Sequence, residues 1–208
     1  HESQSRFYEN IIGRSEAFIS LIFPKIKELF PEQFENVSAH DFYLAVNKAE
    51  PSLIRTEADE LTYSMHIMVR YEIEKRLMDG SLSTKDLPNE WNRLYKEYLG
   101  IDVPCDSMGC LQDSHWSGGA LGYFPSYSLG SAYGAQFLHK MKQNIDIDKL
   151  VSENRIDEVT AWLTEKIHKY GMLLTPAQLI ENACGEEFNA DYYIEYLTEK
   201  YKKIYDLK

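Results

Sequence analysis

At 208 residues the chain is long enough to bury a sizeable core, and its 44% hydrophobic and 26% charged content is ordinary for a globular protein. A formal net charge of −11 argues against nucleic acid as a partner, since phosphate binding calls for clustered Lys and Arg. The acidic residues are spread along the chain as on solvated helical faces, and no apolar run is long enough to cross a bilayer, which leaves no membrane partner.

The chain opens His1-Glu2-Ser3-Gln4-Ser5, with neither the basic start nor the apolar stretch of a signal peptide and with no initiator methionine, so it reads as the middle of a longer protein. Phe7, Ile11, Phe18 and Ile22 then predict one long helix, or two meeting near Gly13, with Pro24 and Pro31 as kinks or ends. Leu61, Met65, Val69, Ile73 and Leu77 recur every four residues, which puts one apolar stripe on a helix that stops near Gly80. Pro88 suits a first helical turn, with Trp91, Leu94, Tyr95 and Tyr98 following and Gly100 closing. Between 100 and 125, glycines 109, 118, 119 and 122 lie among Trp116, Tyr123 and Phe124; this reads as a tightly packed loop and helix start, with room for a short strand pair. Val159, Trp162, Leu163 and Ile167 share a helical face that ends at Gly171. Thr175 and Pro176 start a further helix that ends at Gly185, and Asn189 caps a last, tyrosine-rich helix carrying Tyr193, Leu197 and Ile204. The architecture predicted is all-α, with residues 1–208 as a single unit. Cys105, Cys110 and Cys184 form neither a disulfide framework nor a CxxC pair, which fits a reducing cytoplasm.

Three stretches carry candidate chemistry. By spacing alone, Glu2 beside His1 reads as a solvated or helix-capping carboxylate. In Ile54-Arg55-Thr56-Glu57-Ala58-Asp59 the acids suit the positive end of a helix, but Arg55 breaks that pattern. A guanidinium there could clamp a carboxylate through two parallel N–H···O bonds, as a peptide's free C-terminus would require. In Gly109-Cys110-Leu111-Gln112-Asp113-Ser114-His115-Trp116, leading into Tyr123 and Tyr127, an acceptor, a proton carrier and phenolic donors fall within a short span. Asp113 near His115 can orient the imidazole and keep it charged; a satisfied histidine in a glycine-rich turn is the structural alternative. Glu165 and His168 form a single Glu-x-x-His pair, whereas a di-metal bundle needs two such pairs and two further glutamates. No P-loop, dinucleotide fingerprint or G-x-S-x-G occurs.

Taken in order, His1-Glu2-Ser3-Gln4, Ile54-Arg55-Thr56-Glu57-Ala58-Asp59 and Gly109-Cys110-Leu111-Gln112-Asp113-Ser114-His115-Trp116 resemble three motifs of the carboxypeptidase Taq family of zinc metallocarboxypeptidases. The family's His-Glu-x-x-His is absent from these residues, so the resemblance implies a C-terminal part that begins just after that helix. It further implies a helical, grooved, zincin-like peptidase that releases single C-terminal residues from peptides with a free C-terminus. By the same resemblance Glu2 is a metal ligand, Arg55, Gln112 and Asp113 form the substrate-binding group with Arg55 on the terminal carboxylate, and His115 with Tyr123 or Tyr127 donates to the oxyanion, while Gln112 and Asp113 orient His115 more than they act directly. The metal implied is zinc or cobalt, held in the full-length enzyme but not by this part alone, which is expected to be inactive without the missing N-terminal part of the same chain; a homodimer is the implied assembly. The competing expectation is a helical binding or scaffold domain of the same fold that hydrolyses nothing.

Overall fold

A computed structural model describes residues 1–208 and contains helices and no strands. In chain order the elements are α1 (Glu2–Arg6), a π-helical stretch (Phe7–Ile12), α2 (Glu16–Leu29), α3 (Ala39–Val46), a 3-10 turn (Arg55–Glu57), α4 (Tyr63–Met78), α5 (Leu87–Leu99), a 3-10 turn (Asp106–Met108), α6 (Pro125–Lys142), α7 (Ile147–Ser152), α8 (Ile156–Lys166), a 3-10 turn (His168–Tyr170), α9 (Pro176–Cys184) and α10 (Asp191–Tyr205). The all-α expectation holds. The strand pair between 100 and 125 does not form, because the backbone there closes on itself. Gln112 N donates to Gly109 O (3.1 Å), Gly118 N to Ser114 O (2.9 Å) and Ala120 N to His115 O (2.8 Å), and such local turns compete with a ladder for the same groups.

Helix starts and stops follow the local chemistry that the sequence displays. Thr175 and Gln178 form a capping box at α9, Ser38 and Asp41 form another at α3, and Gly100 and Gly185 close α5 and α9 in the left-handed conformation. Asn189 caps α10 from just outside it, its Oδ1 accepting from Asp191 N at 2.9 Å. The first predicted helix is indeed two, separated at Gly13, with Ser15 capping the second by accepting from Phe18 N. Pro24 lies inside α2 and Pro31 just beyond its end.

Contacts gather into two compact units, His1–Asn47 with Gly130–Lys208, and Lys48–Leu129. The core of the first is built from Phe7, Phe137, Met141, Val151, Val159, Leu163 and Ile180, all nearly or wholly buried. In the second, Val69, Ile73, Trp91, Leu94 and Tyr95 bring α4 and α5 together, and a smaller cluster of Ala58, Tyr63, Ile67 and Phe124 packs beside Trp116 and Tyr127. The apolar stripe predicted on α4 is only partly buried. A four-residue step overshoots the 3.6-residue turn by about 40°, so Met65 drifts to an exposure of 40%, while Leu61, exposed at 38%, lies before the helix begins. The face that α4 does bury includes His66, Arg70 and Glu74.

Leu163 is fully buried in the first core. Leu163→Ala should cost about 2–5 kcal/mol through lost burial and the cavity left behind, read as a lower urea midpoint; a cost under 1 kcal/mol would mean that α8 is not packed as described.

Candidate functional site

The second unit is organised around one carboxylate. Oδ1 of Asp113 accepts from Arg55 Nε (3.0 Å) and NH2 (2.7 Å), while Oδ2 accepts from Arg70 Nε (2.7 Å) and lies 2.6 Å from Arg70 NH2. Gln112 completes the cradle: its Oε1 accepts from Arg55 N (2.9 Å) and Arg70 NH2 (2.8 Å), and its amide donates to the Leu53 and Met108 carbonyls. Arg70 NH1 donates to His66 O (2.7 Å), and Arg55 NH1 donates to Tyr63 OH (2.9 Å). The guanidinium of Arg55 lies over the rings of Tyr127 (4.8 Å) and Phe124 (5.7 Å), and that of Arg70 over Trp91 (4.6 Å). Burial alone would raise the pKa of Asp113, but the hydrogen bond from Arg55 and the charge of Arg70 outweigh it and hold the carboxyl below its ordinary value. Three of the five guanidinium N–H groups of Arg55 are therefore donated within the protein.

His115 sits beside this network rather than within it. Its Nε2 lies 2.9 Å from Tyr127 OH, and its ring packs 4.3 Å from Phe124 and 6.0 Å from Tyr123, centroid to centroid. Nδ1 is buried without a hydrogen-bond partner and stands 4.0 Å from Asp113 Oδ1, too far for a bond. Burial lowers the pKa of His115. Asp113 and Glu74 pull the other way, but burial together with the Arg55 and Arg70 charges prevails and holds the pKa below the ordinary value. The sequence suggested that Asp113 keeps His115 charged, and the resemblance that Gln112 and Asp113 orient it; both meet the two arginines instead, which claim both carboxylate oxygens of Asp113 and the Oε1 of Gln112. Tyr123 is exposed at 42% and packs edge-to-face against Tyr127 at 5.3 Å.

Arg70 and His66 are the members of this site that motif reading misses. Both lie on the buried face of α4, four residues apart and next to Val69 and Ile73, so a charged and a titratable residue sharing an apolar stripe was the available signal. His66 is wholly buried, with Nδ1 3.0 Å from Tyr95 OH. Burial, then the charges of Arg70 and Arg55, push its pKa down to about 3. Trp116 Nε1 donates to Glu74 Oε1 (2.8 Å), which fixes the end of the 109–116 loop on α4.

Glu2 belongs to the first unit, in the opening turn of α1. Its Oε2 accepts from Ser5 Oγ at 3.1 Å, Gln4 Oε1 lies 2.7 Å from His168 Nε2, and Arg6 NH1 donates to Glu9 at 2.8 Å. No three ligating side chains of His, Cys, Asp or Glu gather in the chain, whereas a catalytic zinc takes three protein ligands. Glu2, with a hydroxyl partner on its carboxylate, fits the part of one such ligand, and would hold a metal only together with ligands that these residues do not supply.

A model of the Carboxypeptidase Taq (M32) metallopeptidase family matches residues 1–201. Carboxypeptidase 1 of Bacillus subtilis (strain 168) is 48% identical over 206 residues, which covers 99% of this chain and 41% of that protein. Thermostable carboxypeptidase 1 of Pyrococcus furiosus is 43% identical over 202 residues, 97% of this chain and 40% of its own. The crystal structure of the M32 carboxypeptidase from Deinococcus radiodurans R1 matches with a TM-score of 0.94 at 39% identity, over 99% of this chain and 42% of that one. The chain thus spans about two fifths of the length of these relatives.

Two measurements check the network. Asp113→Asn strips the counter-charge from two buried guanidinium groups and should cost about 3–5 kcal/mol, seen in urea denaturation; a loss below 1 kcal/mol would show that the ion cluster does not hold the unit together. For His66 the sign follows from a folded pKa below the ordinary 6.5. As pH falls below about 6.5 the unfolded chain gains a proton that the folded chain refuses until about pH 3, so stability declines with acid by up to about 1.4 kcal/mol per unit. Comparing urea midpoints at pH 7 and pH 5 should show a smaller drop for His66→Gln than for the unsubstituted protein.

Proposed function

The chain belongs to the carboxypeptidase Taq (M32) metallopeptidase family, and on that premise we propose that it is part of a metallocarboxypeptidase that removes single residues from the C-terminus of peptides. The observation that carries this reading is a guanidinium bonded to one buried carboxylate, with an imidazole and a phenol bonded to each other directly beside it and the phenol ring under the guanidinium. Each matches a role that C-terminal peptide hydrolysis requires.

Arg55 takes the substrate's terminal carboxylate. Two of its five N–H groups remain after those given to Asp113 and Tyr63, and Asp113 keeps the guanidinium fixed and charged: burial favours losing the proton, but the hydrogen bond to Asp113 prevails. Gln112 serves the same end by holding the backbone N–H of Arg55. His115 donates to the oxyanion that develops on the scissile carbonyl; a neutral imidazole can do this from a ring nitrogen without first having to acquire a charge. Tyr127 fixes that ring from Nε2, and the exposed Tyr123 is the second phenolic donor. Glu2 is the metal ligand, with zinc or cobalt as the metal in the full-length enzyme. What the metal supplies when bound is Lewis acidity toward water and the scissile carbonyl. Three unpaired cysteines support a cytoplasmic location, and the family resemblance supports a homodimer.

The test uses the full-length protein with a blocked dipeptide whose C-terminus is either free or amidated. Release of the last residue from the free form alone, abolished by a chelator, is the expected result; equal cleavage of the amide would exclude a carboxypeptidase. His115→Ala should lower kcat by about 10²–10³-fold with little change in KM, and unchanged kinetics would remove His115 from the reaction.

A further inference from the structure

The closest approach at any glycine of the chain occurs where α6 meets α1. A Cβ built on Gly130 would stand 2.7 Å from both the Cβ and the carbonyl carbon of Glu2, and 2.9 Å from Ser3 N. Two of those three atoms are backbone, so no side-chain rotation relieves the overlap; α1 would have to move. One turn along α6, Gly134 is different. Its Cβ position lies 3.5 Å from Ser3 O and 3.6 Å from Ile11 Cδ1, which is ordinary van der Waals distance. Only the first glycine is therefore demanded by the contact.

The rest of α1 is tied so that the contact sets the place of Glu2 and not merely the spacing of two helices. Arg6 Nε donates to Ser131 Oγ at 3.4 Å, which links the helices again one residue beyond Gly130. Gln4 reaches His168 at 2.7 Å. Helix α1 also runs without a break into the buried Phe7–Ile12 stretch, so its first turn meets α6 as part of a longer anchored helix, and Gly130 sets how near the two backbones come. Ser5 acts on the side chain. Its hydroxyl lies 3.0 Å from Glu2 O and 3.1 Å from Glu2 Oε2, so one hydrogen is shared between the backbone carbonyl and the carboxylate.

We infer that Gly130 is a positioning residue for a divalent cation: by lacking a side chain it lets the backbone of Glu2 seat directly on α6, and Ser5 sets the direction of the carboxylate from that seat. The inference rests on the reading of Glu2 as a metal ligand. It assigns to Gly130 a role in metal affinity, which a residue needed only for helix packing would not have.

The experiment uses the full-length protein and two readouts that do not depend on turnover: zinc affinity by competition with a chromogenic chelator, and the visible spectrum of the cobalt-substituted protein. Gly130→Ala should weaken zinc binding by about tenfold or more and alter the cobalt bands, and Gly134→Ala should leave both as they are. Ser5→Ala should weaken zinc binding by about tenfold, within the 10–100-fold range for groups that orient a ligand, without changing the thermal midpoint of the metal-free protein. Wild-type affinity and spectrum in Gly130→Ala would overturn the inference, as would an equal loss in Gly134→Ala. Should Gly130→Ala fail to fold, Ser5→Ala decides alone, and wild-type affinity there overturns it. Glu2→Gln separates the two readings: if that variant binds zinc as tightly as the unsubstituted protein, Glu2 is not a ligand and the earlier assignment fails.

Discussion

One carboxylate shared by two guanidinium groups sets the second unit. Asp113 reaches Arg55, which follows a loop, and Arg70, in mid-helix on α4, so three segments distant in sequence are fixed to a single pair of oxygens. Burying such a cluster carries a large desolvation cost, and two cations against one anion leave a positive surplus. Aromatic faces meet that surplus, Phe124 and Tyr127 under Arg55 and Trp91 under Arg70, and the buried Glu74 adds a second acid near His115. The surplus has a consequence for the imidazoles close by. A proton on His115 or His66 would add to a field that is already positive in a site with little water, so both are held neutral, His66 more strongly because it is wholly enclosed.

Much of the fold was legible in the sequence because its signals are local. A threonine before a proline and a glycine after the last apolar position each act within one turn of helix, and each appears where the spacing placed it, whereas the serine three residues before an acid that starts α3 was not read. Between 100 and 125 the reading of a tightly packed loop holds and the short strand pair it left room for does not form, since the glycines serve turns: Gly119 and Gly122 both have φ of +75°. Helix α6 was the larger omission. Pro125–Lys142 carries two alanines, two glycines and three serines, so the first part of its buried face, from Gly130 to Ala135, is made of small residues, and the large apolar residues Phe137, Leu138 and Met141 come only near its end.

The site divides along the same line. The three motifs located Glu2, Arg55 and His115 by resemblance, and the sequence around each is short enough to be recognised whole. What it could not show is which side chain meets which. Asp113 is two residues from His115, and proximity in sequence suggested a pair; yet in a turn, neighbouring side chains diverge, and the carboxylate points instead to arginines 58 and 43 residues away. Arg70 offers no motif at all. It was hidden because the periodicity argument seeks apolar residues, and a buried charge on an apolar face is an interruption that only its partner explains.

In the first unit the constraint is steric rather than electrostatic, and it bears on a single residue. Glu2 stands in the first turn of α1, where a carboxylate already benefits from the helix dipole. That would be enough for a structural acid, and it would not require α6 to come so near. The close seat on Gly130 limits the backbone freedom of Glu2, and under the proposed role of Glu2 as a ligand that freedom would not have to be lost on binding. Helix α1 runs without a break into Phe7–Ile12, whose buried Phe7, Ile11 and Ile12 anchor it, and the contacts with Gly130, Ser131 and His168 fix where its first turn lies.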